Sequence, residues 1–259
     1  MNTPMPAIFI GHGSPMVTLS RNIYTEAWAE IGRTIPHPKA VLAVSAHWYI
    51  SGSAVTTAAS PRTIHDFGGF PKELHEVQYP AKGSPELAEQ VKKRLSPLSV
   101  ERDDSWGLDH GTWTVLRHLF PMADIPVIQL SIDRTKPPSF HYELGRRLTS
   151  LRDEGILVIG SGNIVHNLRA YLWENSSAQP FDWAVRFESR MREFMRTGED
   201  ASVIAYEALG EDALLSVPTP DHFLPLLYVL GLRKEGEQVS FPVEGFDGGS
   251  MSMLAVQVG

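Results

Sequence analysis

Three short apolar runs in this chain end the same way, in a small-residue turn that carries a histidine. Pro6-Ala-Ile-Phe-Ile10 runs into Gly11-His12-Gly13-Ser14. Ala40-Val-Leu-Ala-Val44 runs into Ser45-Ala46-His47-Trp48, and Gly155-Ile-Leu-Val-Ile159 into Gly160-Ser-Gly-Asn-Ile-Val-His166. Runs of this length bounded by turn residues suit strands buried on both faces of an α/β sheet. In such a sheet, parallel strand ends share one edge, and ligands sit outside the carboxyl ends. Histidines far apart in sequence are thereby brought to one cleft. Gly11 and Gly13 remove the side chains on either side of His12, which predicts a backbone that a ligand can approach closely.

The segments between these runs read as helices. Ile23, Ala27 and Ile31 recur at spacing four within Asn22–Thr34. Ser84-Pro85 opens a helix to Leu95 with a capping hydroxyl and a proline in the first turn. Further helices are expected after Trp113 to about Phe120, over Ser139–Leu151, over Phe181–Thr197 and over Phe223–Leu230, with weaker helical character reaching Leu215. Further strands are expected at Ala54–Ala58, Pro126–Ser131 and Met251–Val258. Residues 60–83 are irregular and rich in glycine, proline and aromatics, as in loops that cover a site. Strands alternating with helices predict a three-layer α/β/α domain with a mainly parallel or mixed central sheet. Nothing reads as a linker or an internal repeat, so residues 1–259 are expected to form one catalytic domain.

The absence of cysteine leaves His, Asp, Glu and water to hold any metal. A formal net charge of -7 argues against nucleic acid or an anionic membrane as the partner. No apolar run reaches membrane-spanning length and no signal peptide is recognisable, so a cytoplasmic protein is expected. The residues carry no signal for an oligomeric state.

Of the 10 histidines, His37, His75, His118 and His141 lie on helices or beside charges and read as surface or packing residues. His65, in the aromatic loop, is open to either role. His12, His47, His110, His166 and His222 each lie at a strand end or in a Gly/Pro turn, and convergence of these five is the candidate site. Imidazole suits zinc, iron, copper or nickel, and a set of neutral nitrogens with open positions is catalytic in type. Asp109, Asp221 and Glu244 are the available acids, as ligands or as partners that fix a histidine tautomer. Asp221 also suits the N-cap of the following helix. No nucleophile elbow or phosphate loop is present.

Seven motifs in order, Gly11-His-Gly-Ser-Pro-Met16, Ser45-Ala-His-Trp48, Ile64-His-Asp-Phe-Gly-Gly-Phe-Pro71, Leu108-Asp-His-Gly-Thr-Trp113, Ser161-Gly-Asn-Ile-Val-His-Asn167, Pro218-Thr-Pro-Asp-His222 and Gly249-Ser-Met-Ser-Met253, span nearly the whole chain. Together they resemble the class III extradiol ring-cleavage dioxygenases, in particular the 4,5-DOPA dioxygenase branch. The resemblance implies a non-haem Fe(II) enzyme that uses O₂ to open a catechol such as DOPA by 4,5-cleavage, with Zn(II) possible at the same ligands. It implies His12, His47 and His222 as metal ligands. His166 is implied at the metal or as acid/base above the substrate, and His110 as a second acid/base. The wider family uses two histidines and a glutamate, which leaves the part of Glu244 open. The loop from His65 to Phe70, with Trp48 and Trp113, is expected to wall in the catechol ring. Arg62, Arg134 and Lys136 lie in loops and read as solvated charges, although a substrate carboxylate could meet them. Two rival functions share the same residues: a zinc-dependent hydrolase, and a non-catalytic metal or small-molecule binding protein.

Overall fold

The computed structural model describes residues 4–259. Its main elements, in chain order, are β1 (Ala7–Gly11), α1 (Ile23–Thr34), β2 (Ala40–Ser45), α2 (Pro85–Leu95), α3 (His110–Leu119) and β3 (Val127–Gln129). They continue with α4 (Pro138–Leu148), β4 (Ile156–Gly162), α5 (Asp182–Thr197), α6 (Leu224–Gly231), β5 (Val239–Val243) and β6 (Ala255–Val258). The six strands form one sheet in the order β3-β2-β4-β1-β6-β5. β3, β2, β4 and β1 are mutually parallel, and β6 runs against both β1 and β5. The sheet is therefore mixed, with a parallel half that holds the three histidine-ending runs.

Side chains of successive strand residues point to opposite faces, and the core divides accordingly. Ala7, Phe9, Leu42, Val44, Ile156 and Val158 pack on one side, with the apolar faces of α2, α4, α5 and α6. Ile8, Ile10, Val41, Leu157 and Ile159 pack on the other, with Trp28 of α1 and Trp113 and Leu116 of α3. This is the expected three-layer α/β/α arrangement. Ser84 caps its helix as anticipated, accepting from the Leu87 N–H, and α1 opens on a capping box between Asn22 and Thr25.

Some segments depart from expectation. The predicted strand Met251–Val258 is broken into two. Met251–Ser252 pairs with Phe246–Asp247 in a separate hairpin, and only Ala255–Val258 enters the sheet. The strand near Ala54 is Ser53–Thr56, paired with Val100–Asp103 outside the main sheet. β5 was not anticipated, because a half-exposed edge strand with serine and proline lacks an apolar run. Among the described residues no helix is long and apolar enough to cross a membrane.

Candidate metal centre

The parallel half of the sheet sets the site. β1 and β4 are in register at Gly11↔Gly162, and β2 and β4 at Ser45↔Ser161. Three strand ends thus lie side by side. His12 follows β1 directly, its N–H bonded to the Gly162 carbonyl at 3.0 Å. Its Nδ1 lies 2.9 Å from Ser161 Oγ, and that hydroxyl donates to the Gly111 carbonyl at 2.6 Å. A hydroxyl has one proton and the carbonyl can only accept, so Ser161 accepts from His12 Nδ1–H. The lone pair of His12 is therefore on Nε2. His222 is fixed likewise: its Nδ1 bonds the carboxylate of Asp221, leaving Nε2 free.

His47 completes a conflict of protons. Its Nε2 lies 3.2 Å from His12 Nε2, and its Nδ1 lies 3.3 Å from Asp66 Oδ2. With the proton on Nδ1, two Nε2 lone pairs face each other. With the proton on Nε2, a lone pair faces a carboxylate. Protonating both nitrogens is resisted: burial first, then the neighbouring histidines, hold the pKa of His47 well below its ordinary value, and those of His12 likewise. A cation between the nitrogens removes the conflict. Two nitrogens each about 2.1 Å from one ion stand about 3.0–3.4 Å apart at common coordination angles, which is the spacing found. One ring nitrogen from each of His12, His47 and His222 lies within 4.8 Å of the others. The donor set fits a metal.

His110 and His166 stand beside this triad. His110 opens α3, its backbone N–H bonded to Asp66 Oδ1 at 2.9 Å. Its Nδ1 is 3.1 Å from Asp66 Oδ2 yet lacks a well-aligned hydrogen bond. Burial alone would raise the Asp66 pKa, but the contact, charge and backbone N–H of His110 outweigh it and hold the carboxyl below its ordinary value. One carboxylate thus touches both His47 and His110. Sequence reasoning missed Asp66; its signal was the His-Asp pair at positions 65–66, in a loop assigned only a covering role. The His166 ring stacks on that of His222, 3.6 Å between centroids and 5° between planes.

All five histidines line one cavity of about 200 Å³. Phe67 and Phe70 wall it, as expected of the aromatic loop, together with Leu168, Tyr171, Trp173 and Met251. Trp48 and Trp113 do not line it: Trp48 is buried and stacks on Trp106, and Trp113 is buried and donates to the Ile64 carbonyl. Neither Arg62, Arg134 nor Lys136 lines it either.

The remaining candidates take structural places. Asp109 caps α3 by accepting from the Thr112 N–H at 3.0 Å, and also accepts from Ser45 Oγ and Gln129 Nε2. Asp221 does not cap α6; it holds His222. Glu244 forms a two-point ion pair with Arg192 at the surface, at 2.7 and 2.8 Å. His65 bonds the Val77 carbonyl and packs on Trp113. Gly11 and Gly13 also serve differently from expectation. A Cβ at Gly11 would lie 2.5 Å from the Ser252 carbonyl, and one at Gly13 would lie 2.7 Å from Met253 Sδ. These glycines make room for the C-terminal hairpin. The glycine that guards the imidazoles is Gly111, whose added Cβ would stand 2.8 Å from His47 Cδ2 and 2.7 Å from Ser45 Oγ.

Fold and donor set together define an α/β protein with a buried three-imidazole site suited to a metal. Comparison with known proteins narrows the class. Residues 6–250 match the family described as the catalytic LigB subunit of aromatic ring-opening dioxygenase. A relative from Escherichia coli (strain K12), named 4,5-DOPA dioxygenase extradiol, is 48% identical over 100% of this chain and 96% of its own length. A relative of the same name from Beta vulgaris is 37% identical over 94% of this chain and 92% of its own. The crystal structure of an uncharacterized protein from Escherichia coli K12 superposes with a TM-score of 0.86 at 45% identity, covering 98% of this chain and all of that one. The chain belongs to the LigB family of aromatic ring-opening dioxygenases.

Proposed function

We propose that this enzyme is an Fe(II)-dependent extradiol dioxygenase that opens the ring of DOPA or a similar catechol by 4,5-cleavage. The observation that carries the reading is the proton conflict between His12 and His47, with the free Nε2 of His222 beside them, in an aromatic-walled cavity. Those three histidines are the proposed ligands. Three neutral nitrogens leave positions for the two catechol oxygens and O₂, and imidazole suits iron as well as zinc. The chemistry a metal supplies there is chelation and acidification of the catechol hydroxyls together with redox activation of O₂.

The chain's own residues handle the ring and the protons. Phe67, Phe70 and Leu168 hold the aromatic ring and keep water scarce. His166 is the proposed acid/base. Burial and His222 hold its pKa well below the ordinary value, which keeps the ring neutral with a nitrogen lone pair free. Its ring stacks on that of His222, outside the group of three nitrogens that would hold the metal, which supports the acid/base role. His110, at the cavity edge against Phe67 and Asp66, is the proposed second acid/base. Residues 1–259 act as one cytoplasmic domain in this reading.

Metal-free protein loaded anaerobically with Fe(II), then given DOPA and O₂, is expected to consume one O₂ per catechol and form a yellow ring-opened product. No oxygen uptake across a panel of catechols would overturn the assignment. Zn(II) in place of Fe(II) is expected to bind without oxygen uptake; hydrolysis by the zinc form would favour the rival activity.

A further inference from the structure

A second, larger cavity of about 740 Å³ adjoins the histidine cavity, and Ser14, Phe70, Tyr171 and Trp173 line both. The outer cavity contains one carboxylate, Asp247. Asp247 sits in the hairpin Phe246–Asp247/Met251–Ser252, directly opposite Met251, which lines the inner cavity. Directly opposed residues of an antiparallel pair point to the same face, with Cβ atoms about 4.5–5.5 Å apart. The carboxylate thus lies in the outer cavity, on the hairpin face it shares with Met251 of the inner one.

Asp247 has a hydrogen bond and no counter-charge. Tyr171 Oη donates to its Oδ2 at 2.9 Å. Among the described residues no Lys, Arg or His lies within ion-pair distance of it. Neither cavity is lined by a lysine or an arginine. The rings of Tyr24, Phe70, Tyr171, Trp173 and Phe246 line the same cavity. A half-buried carboxylate among aromatic faces is the environment that an organic ammonium finds favourable, by ion pairing and by cation–π attraction. The same environment repels a carboxylate and offers it no cationic partner.

We propose that the outer cavity is an ammonium subsite in which Asp247 pairs with the amine of the substrate's side chain, so that the enzyme selects catechols bearing a cationic amine over those bearing only a carboxylate. The proposal builds on the catechol assignment of the inner cavity. Tyr171 is a positioning residue: its ring packs where a Cβ on Gly248 would stand, 2.3 Å from ring carbon, and its hydroxyl aims the carboxylate.

The test has a binding arm and a turnover arm. Binding of tyramine and of 4-ethylphenol, two phenols of equal ring and chain length, is measured by calorimetry on wild type and Asp247→Asn. Tyramine is expected to bind on the order of tenfold tighter than 4-ethylphenol to wild type, the scale of a hydrogen bond to a charged group, and no tighter to the variant. In the iron-loaded enzyme, the kcat/KM ratio of dopamine to 3-(3,4-dihydroxyphenyl)propionate is expected to fall by a similar factor in Asp247→Asn, through KM rather than kcat. Equal binding of the two phenols to wild type, which needs no variant, would overturn the proposal. So would a ratio unchanged by Asp247→Asn. A tyramine preference that depends on Asp247, found in a protein that turns over no catechol, would uphold the subsite and overturn the dioxygenase assignment.

Discussion

Ser161→Ala separates a metal site from a merely buried histidine. Ser161 and His12 are both buried, and the hydroxyl links His12 Nδ1 at 2.9 Å to the Gly111 carbonyl at 2.6 Å. Removing it leaves Nδ1–H without an acceptor, at about 1–3 kcal/mol if nothing adjusts. The imidazole has a way out. Moving its proton to Nε2 points a donor at His47 Nε2, 3.2 Å away, and forms a real hydrogen bond where two lone pairs had faced each other. Metal-free protein therefore recovers much of the loss, and a stability change below about 1 kcal/mol is expected on thermal unfolding, that of one exchanged hydrogen bond. Metal binding cannot recover, because the proton now occupies the ligand position. Outer-sphere partners of ligating histidines are worth about 10–100-fold in affinity, and a loss of that size is expected. Chelator competition with Zn(II) or Co(II) measures it, and ¹⁵N chemical shifts report the His12 tautomer. Unchanged metal affinity together with an unchanged tautomer would refute the proton argument at its root.

Four further perturbations divide the roles. His12→Ala and His47→Ala are expected to lose stoichiometric metal, whereas His166→Ala keeps metal and loses turnover; equal metal loss in all three by elemental analysis would make His166 a ligand. Gly111→Ala places a methyl group 2.8 Å from His47 Cδ2, so metal affinity is expected to drop at least tenfold while the fold persists by circular dichroism. Glu244→Ala is expected to leave metal content and kcat/KM within twofold of wild type, since Glu244 is half exposed and paired with Arg192; lost metal would reinstate it as a ligand. Burial raises the Glu188 pKa to about 7. A raised carboxyl pKa favours folding below the unfolded value of about 4.3, and that contribution disappears as pH rises through about 7. Glu188→Gln is thus expected to flatten the melting temperature between pH 5 and 8 and to raise it at pH 8, by up to about 3 kcal/mol in stability; an unchanged pH profile would count against it.

The extent to which the sequence exposes this protein follows from which interactions are local. The three strand–turn–histidine runs are local patterns, and their convergence follows from parallel pairing, so the sheet edge with His12 and His47 was legible. The helix cap at Ser84 was legible for the same reason. Asp66 was not. It reaches His47 and His110 across separations of 19 and 44 residues, and the adjacent His65, the one local signal, points to neither contact. Gly11 and Gly13 misled because a glycine reports only that space is needed. The occupant of that space, the Ser252–Met253 segment, is more than two hundred residues away. The tryptophans misled because their size suits a cavity wall and a core equally well. Trp48 and Trp113 went to the core, and the wall was filled by Tyr171 and Trp173 from a loop without regular periodicity.

With a metal on the three proposed ligands, the arrangement of charge would favour an anionic chelate. The three-imidazole group contains no carboxylate; the acids Asp66 and Asp221 lie behind His47 and His222, touching their Nδ1 atoms. A dication held by three neutral nitrogens in a buried cavity is under-compensated, since distant carboxylates offset its charge less than ligating ones do. A bidentate catecholate supplies the missing negative charge at the metal itself, and it does so only when bound. Asp247 acts in the opposite sense at the other end of the same space, where the outer cavity is short of positive charge. A catechol that is anionic at its ring and cationic at its side chain meets both deficits at once. A ligand reversed in charge, or one whose side chain bears a carboxylate and no amine, meets at most one. That pairing of deficits, rather than any single contact, is the reason to expect selectivity from a cavity whose walls are otherwise apolar.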